Sequence, residues 1–210
     1  MARAGLNKAT LHREKAALER YRRYLPSLDL KRKQLVAELA RARREAAEAR
    51  ERIASVTDAI GERLPMLALE DIDLSGLVTV TGTRVDTINR LGVAVPVLAG
   101  VEVAIRPYSR LAKPHWVDAM VRDIRRVAEL HVEARVAEER VRRLEHGLAK
   151  VTQRVNLFDK VLIPRTKKTI ADIEIRLADA ERAGVVRAKI AKAKHRARRG
   201  EIVAAEDARP

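Results

Sequence analysis

Histidine and carboxylate side chains are the groups in this chain that could hold a metal ion or move a proton. The chain has no cysteine, and its five histidines are scattered with no H-x-x-x-H pair: His12, His115, His131, His146 and His195. A zinc site needs three or four nitrogen, sulfur or oxygen ligands close together. The spacing gives no sign of such a set, so we expect no metal site.

Sequence patterns that cradle nucleotide phosphates are also missing. Neither G-x-x-x-x-G-K-[ST] nor G-x-G-x-x-G occurs in the 210 residues. Both patterns supply backbone N–H groups to phosphate oxygens. The numerous carboxylates lie in amphipathic segments, where acidic residues usually form a solvated face with basic partners one turn away. We therefore expect no intrinsic enzymatic activity and no bound cofactor.

Positive charge is the strongest chemical feature of the chain. Lys and Arg number 44 against 29 Asp and Glu, and the stretch from Ala183 to Gly200 carries seven Lys or Arg and no acid. This stretch fits an anion-binding segment, for example for nucleic acid. It also fits a solvated helix end that complements the helix dipole, or a helix end held in an acidic or polar protein socket. Aromatic residues, which stack on bases, make up only 2% of the chain, so the last two interpretations together are favoured over nucleic acid.

The composition, with 35% charged residues and few aromatics, is typical of long helices or a coiled coil. In the first segment, residues 1–64, apolar residues recur in alternating steps of three and four, interrupted only by Arg32. This heptad pattern predicts a coiled-coil helix, and Pro26 within it is expected to kink the helix rather than end it. The predicted seam consists of Leu18, Tyr21, Leu25, Leu28, Leu35, Leu39, Ala42, Ala46, Ala49, Ile53, Val56 and Ile60.

A second heptad segment, residues 115–199, predicts a C-terminal coiled-coil helix. Its seam positions before Pro164 are Ala137, Val141, Leu144, Leu148, Val151, Val155, Phe158 and Leu162, and those after it are Ile170, Ile173, Leu177 and Ala180. The step from Leu162 to Ile170 is eight residues, so the seam changes phase where the proline lies. A second helix alongside would let the chain tolerate both the phase shift and the proline.

The intervening residues 65–114 are rich in proline, glycine and β-branched residues, which predicts a small β insert. We expect a hairpin of Leu77–Val85 with either Val101–Ile105 or Val93–Leu98, and a flexible tail at residues 200–210. The predicted fold is mainly α: a long antiparallel two-helix coiled coil of the N- and C-terminal segments, with the hairpin-containing insert between them. Both termini would then lie at one end of a rod. The most apolar stretch, Leu91–Ile105, is too short and interrupted to span a bilayer.

The stretch RVNLFDKVLIPRTKKTIADIEIRLADAER resembles the C-terminal signature of the D subunits of the V-type and A-type rotary ATPases. The matching positions are Arg154, Val155, Asn156, Pro164, Arg165, Thr169, Ile170, Ile173, Leu177, Glu181 and Arg182. Near the N-terminus, Leu30, Lys31, Lys33 and Leu35 are similar to the family's L-K-x-K motif and the leucine after it. The run from Gly92 to Pro96 is similar to a G-V-x-V-P of the middle region. The resemblance covers most of the chain.

The resemblance implies a non-catalytic rotor shaft in a V/A-type ATPase or ATP synthase, which couples ATP hydrolysis or synthesis to H⁺ or Na⁺ translocation. It implies as partners the catalytic and non-catalytic ring subunits, known as the A and B subunits, the small F subunit of the rotor and the adaptor on the membrane ring. It also implies a cytoplasmic location, peripheral to the membrane. We expect the contacts to include the basic residues Arg154, Arg165, Arg176, Arg182, Arg187 and Lys189. The alternative is a basic coiled-coil scaffold or a nucleic-acid-associated protein.

Overall fold

The computed structural model describes residues 7–63, 74–109 and 114–207, with side chains described up to residue 196. In chain order its elements are helix α1 (Lys8–Arg63), strands β1 (Val78–Arg90) and β2 (Val93–Ile105), helix α2 (Val117–Asn156), a π-helical segment (Leu157–Leu162, hereafter the π-turn) and helix α3 (Ile163–Asp207). The predicted fold class, mainly helical with a hairpin between the N- and C-terminal helices, is confirmed. The division of the chain at residues 64, 114 and 199 stays a prediction, and Leu64 and Pro65 lie outside the described residues.

The chain forms two compact units. The first, the terminal unit, comprises Met1–Ser27 and Val155–Pro210; the second, the hairpin unit, comprises Leu28–Arg154. Helix α1 contributes to both.

Helix α1 begins with a side-chain cap. The Oδ1 atom of Asn7 accepts hydrogen bonds from the Thr10 backbone N–H at 2.8 Å and from the Thr10 hydroxyl at 3.0 Å. Asparagine is among the best residues at this position because its oxygen satisfies an N–H that the first helical turn leaves unpaired. The helix continues through Pro26, which confirms that the proline does not end it.

The predicted α1 seam is confirmed by burial. Six of its residues are buried, with Leu35 fully so: Leu35, Leu39, Ala42, Ala46, Ala49 and Ile60. The other predicted seam residues are half-buried: Leu18, Tyr21, Leu25, Leu28, Ile53 and Val56. The run of three alanines gives little side-chain volume to fill, so a facing element can approach the α1 backbone closely.

In the hairpin unit, α1 and α2 run antiparallel. Ion pairs join Arg43 to Glu145 at 2.7 Å, Arg52 to Glu133 at 2.8 Å, and Arg63 to Asp123 at 3.2 Å. The residue numbers therefore increase along α1 as they decrease along α2. These side chains are mostly exposed, and each such pair contributes only about 0–1 kcal/mol. Stability therefore comes mainly from the seam, where Leu35 and Leu144 are 0% and 1% exposed.

Strands β1 and β2 form one long antiparallel hairpin in the same unit. Its two-residue turn, Leu91–Gly92, has φ angles of 54° and 78°, as a type I′ turn requires. The Asn89 side-chain Oδ1 accepts the Gly92 N–H at 2.7 Å. Val101–Ile105 and Val93–Leu98 were predicted as alternative partners of the first strand, and that prediction was wrong. Both belong to one hairpin, with Val78 opposite Ile105 and Val85 opposite Leu98.

The base of the hairpin packs on the start of α2. Leu77, Trp116, Val117 and Val121 form a buried apolar cluster. The Arg106 N–H donates to the Leu77 carbonyl at 2.8 Å, which continues the pairing beyond the strand ends. This cluster supplies the hairpin unit with a small core outside the helix seam.

In the terminal unit, α1 and α3 also run antiparallel. Lys8 lies 3.4 Å from Glu181, and Lys15 lies 2.6 Å from Glu174. The buried residues of this unit include Ala17 on α1 and the seam residues Val155, Ile163, Thr166, Ile170 and Ile173. Leu177 is half-buried, whereas Ala180, predicted as a seam residue, is exposed. The prediction for Ala180 was wrong: after Ile173, Leu177 is the last predicted seam residue of α3 that is even half-buried.

The seam prediction was also wrong by one residue at the proline. Ile163 is 8% exposed and belongs to the seam, whereas the predicted Leu162 is only half-buried. The π-turn immediately before them takes up an extra residue in one wide turn. The disturbance therefore lies on the N-terminal side of Pro164, not between Leu162 and Ile170 as expected.

Candidate interaction surfaces

The hairpin is anchored to the helices by arginine side chains of α2. Arg140 donates from Nη1 to the Glu45 carboxylate on α1 and from Nε to the Pro96 carbonyl on β2, the latter at 3.2 Å. Arg143 donates from Nη1 to the Ala94 carbonyl at 3.5 Å. A two-stranded sheet exposes backbone carbonyls along both of its edges. These guanidinium groups satisfy carbonyls of β2 and connect three elements of the hairpin unit.

Apolar packing and one glycine complete this anchor. Val95 is fully buried. A Cβ atom added at Gly147 would lie 2.4 Å from Cγ2 of Val93, which is closer than carbon atoms approach each other. Gly147 therefore lets β2 lie directly against the backbone of α2. The prediction of functional residues from sequence missed Arg140, Arg143 and Gly147. The available signal was an isolated glycine inside a helical heptad pattern, which often marks a close backbone approach.

A carboxylate between two arginines organises the neighbouring face of α2. Arg143 donates to Glu139 from Nε at 2.8 Å, and Arg142 does so at 2.7 Å. The hydrogen bond from Arg143 is the largest cause that holds the pKa of Glu139 below its ordinary value; desolvation opposes it, and the hydrogen bond from Arg142 adds to the lowering. Glu139 therefore stays ionised and keeps the arginines in place near β2.

An open groove of about 600 Å³ lies between β1 and α2 in the same unit. Its lining includes the apolar residues Val80, Val85 and Val136 and the polar residues His131 and Glu139. Val80 and Val85 are 38% and 44% exposed. The groove thus offers an open contact surface with a mixed apolar and polar lining.

The second surface is the C-terminal part of α3, residues 182–196, which we name the basic arm. All of its side chains are exposed, and of its residues only Gly184 is half-buried. Its apolar residues Val185, Val186 and Ile190 are each more than half exposed. No acidic residue occurs between positions 183 and 196. The basic arm is therefore an exposed, strongly basic surface of α3 that also carries three large apolar side chains.

The structure places all six residues predicted as partner contacts at the surface. Arg165 and Arg176 lie on α3 before the basic arm, Arg182, Arg187 and Lys189 lie on the arm, and Arg154 lies in the last turn of α2. Arg182 is 3.6 Å from Asp179, and Arg187 donates from Nε to the Ala183 carbonyl at 3.3 Å. Their role in binding a partner stays a prediction.

Metal-binding clusters and membrane-spanning helices are both absent from the described residues. Across the ranges 7–63, 74–109 and 114–207, no group of three His, Cys, Asp or Glu side chains is placed to hold a metal ion. Within the same ranges, no helix combines the length and apolar character that crossing a membrane requires.

Known proteins are similar in sequence to this chain along most of its length. A family model described as the D subunit of ATP synthase matches residues 10–193. The protein of Borreliella burgdorferi that is named as the D subunit of V-type ATP synthase is 31% identical over 199 residues, which cover 91% of this chain and 95% of that protein. Proteins of the same name from Chlamydia muridarum and Chlamydia caviae are 36% and 34% identical, over 90% and 93% of this chain and 94% and 95% of their own lengths.

Proposed function

The chain belongs to the family of ATP synthase D subunits, and from this premise we propose that it is the central rotor shaft of a V-type or A-type rotary ATPase. In this role it carries no catalytic site. It couples ATP hydrolysis or synthesis in the catalytic ring to H⁺ or Na⁺ translocation through the membrane ring. It works on the cytoplasmic side, peripheral to the membrane.

The observation that carries the proposal is the pairing of the start of the chain with its C-terminal helix. Lys8 and Glu181 are 3.4 Å apart, and α3 continues from there to Asp207. Beyond this ion pair, the side chains of α3 that the structure describes, at residues 182–196, are exposed and form the basic arm. A shaft that enters a ring of subunits needs such an exposed end, which the ring can cover.

The hairpin unit supports a second requirement of a shaft, namely asymmetry. A rotor can hold chemically identical catalytic sites in different states only if each site meets a different face of it. Its contacts then shift the populations of the states available to each site. Anchoring of the hairpin through Arg140 and Arg143 gives the α1–α2 pair one side unlike the others.

The proposed partners are the other subunits of the rotary complex. The basic arm, with its exposed valines and isoleucine, contacts polar, acidic and apolar loops of the A and B subunits of the ring. The small F subunit of the rotor and the adaptor on the membrane ring contact the other end of the shaft. Because exposed ion pairs contribute only about 0–1 kcal/mol each, the charge acts through many weak contacts.

Co-purification tests the proposal. The full chain carrying an affinity tag is expressed together with the A, B and F subunits, and the recovered complex is analysed by mass and by ATPase activity. We expect a complex that contains all three. A matched chain that ends after Glu181 and so lacks the basic arm should retain the small rotor partner but bind the ring less tightly. Recovery with nucleic acid, or of the tagged chain alone, would favour the basic scaffold instead.

A further inference from the structure

The π-turn has a cause in the sequence. The Ile163 N–H donates to the Phe158 carbonyl, five residues back, and the next residue is Pro164. Proline has no N–H to donate, and its ring collides with the carbonyl four residues earlier, which here belongs to Lys160. An α-helical turn at this place is therefore opposed, and the wider turn relieves the collision.

The seam can cross this place in two ways. In the structure, the inward-facing residues are Val155, Phe158, Ile163, Thr166, Ile170 and Ile173, so the steps are three, five, three, four and three. If Leu162 replaced Ile163, the steps would be three, four, four, four and three. Both series cover the same five turns from Val155 to Ile173, at an average equal to the 3.6 residues per turn of an α-helix.

Either arrangement assigns a large apolar residue to the seam position. Leu162 and Ile163 are both large and apolar, and Leu162 is already half-buried. Because the ends of the two series coincide, changing from one to the other moves one local turn and leaves the pairing at Val155 and Ile173 in place.

We propose that residues 157–164 exchange between two registers: a π register that buries Ile163 and an α register that buries Leu162. The exchange is a property of the chain itself. Its use rests on the proposed function: a shaft with such an element absorbs a local twist by changing register, without separating its two helices. Bistable packing of this kind is a common basis of conformational switching.

Single cysteines test the exchange, because the chain has none of its own. The probes are Leu162→Cys and Ile163→Cys in the full chain, labelled with a small maleimide. We expect the thiol at position 163 to react at about a tenth to a hundredth of the rate at position 162, as a minor α register of about 1–10% would allow. Adding Pro164→Ala removes the obstacle to the α register. The rate at position 163 should then rise several-fold, and that at position 162 should fall.

Ile173→Cys is the control for general opening of the helix pair, since Ile173 is fully buried in the same seam. It should remain protected with and without Pro164→Ala. The proposal is contradicted if Pro164→Ala leaves the rates at 162 and 163 unchanged, or moves both in the same direction. It is also contradicted if position 173 reacts in parallel with position 163.

Deleting Lys160, an exposed residue of the π-turn, provides a second test. The spacings between successive seam residues from Val155 to Ile173 then become three, four, three, four and three. This is an uninterrupted heptad pattern, which allows only one register. We expect this variant to fold and to lose the response of position 163 to Pro164→Ala. Because Pro164 opposes an α-helical turn here, the deletion variant should be less stable than the full chain, and a retained response of position 163 in it would contradict the proposal. These measurements use the isolated chain, so their failure leaves the rotor assignment standing, and failure of co-purification leaves the exchange standing.

Discussion

The rings of Tyr21 and Phe158 meet edge to face, with centroids 5.4 Å apart and planes at 89°. Phe158 is the only phenylalanine of the chain, and it is the second residue of the π-turn. Tyr21 lies on α1, so the contact joins the two helices of the terminal unit at the point where the seam takes its five-residue step.

Replacing Tyr21 by leucine tests the weight of this contact. Aromatic pairs in this geometry contribute about 0.5–1.5 kcal/mol beyond the area they bury, so Tyr21→Leu should lower the free energy of unfolding by about that amount. The matched control is Tyr24→Leu on the same helix, since Tyr24 is 54% exposed. Thermal unfolding followed by circular dichroism should show a lower midpoint for the first variant only. Equal midpoints for the two variants would mean that the ring pair contributes nothing specific.

Replacing either of two helical glycines by alanine should change the stability of the protein, in opposite directions at the two positions. A Cβ atom added at Gly61 meets nothing within 4 Å, so Gly61→Ala should stabilise α1 by up to about 1 kcal/mol. Gly147→Ala would place its Cβ 2.4 Å from Cγ2 of Val93, and a β-branched side chain has few alternative rotamers. It should therefore loosen the hairpin. Urea denaturation and hydrogen exchange of the β2 amides measure both effects, and a stabilising Gly147→Ala would refute the proposed close approach.

The hairpin turn offers a stabilising substitution. Leu91 has a φ of 54°, which costs a leucine roughly 1–2 kcal/mol, whereas asparagine adopts this conformation more easily. Leu91→Asn should raise the free energy of unfolding by about 0.5–1 kcal/mol, a range set by that cost. Leu91→Val should lower it because a β-branched residue tolerates positive φ poorly. If both substitutions shifted the urea midpoint equally, the turn conformation would not limit stability.

Charge on the basic arm should act collectively. Single changes such as Arg187→Gln should be mild, because each exposed pair contributes about 0–1 kcal/mol. Changing Arg187, Lys189 and Lys192 together should weaken binding to the ring, by a larger factor at low salt than at high salt. The matched control changes three exposed arginines of α2: Arg122, Arg126 and Arg135. If one arginine of the arm abolished ATP turnover while assembly stayed intact, the arm would hold a specific site instead.

Much of the helical structure could be predicted because burial in a helix pair follows a local period. The alternating three- and four-residue steps located Leu35, Leu39 and Leu144 without knowledge of their contacts. At positions 162 and 163 the same reasoning failed, since two adjacent large apolar residues satisfy the period equally well. The decision between them depends on how Pro164 distorts the preceding turn, which periodicity does not describe.

The hairpin and its anchor were less accessible from sequence. The turn at Leu91–Gly92 lacks the Asn-Gly or Asp-Gly pair that usually marks a type I′ turn. The contact of Arg140 with Glu45 and the Pro96 carbonyl joins residues 95 and 44 positions apart. Such contacts depend on the register between distant elements, which one sequence does not reveal.

Rotation itself tests the central claim most directly. Asp86 is exposed on β1, and Asp86→Cys provides a single thiol for attaching a bead in a chain without other cysteines. The complex with the ring of A and B subunits is fixed to a surface through the ring, and the bead is observed during ATP hydrolysis. We predict that the bead turns in one direction, in steps, and only when ATP is present. A ring that hydrolyses ATP at its full rate while the securely attached bead stays still would contradict the assignment of this chain as the rotor shaft.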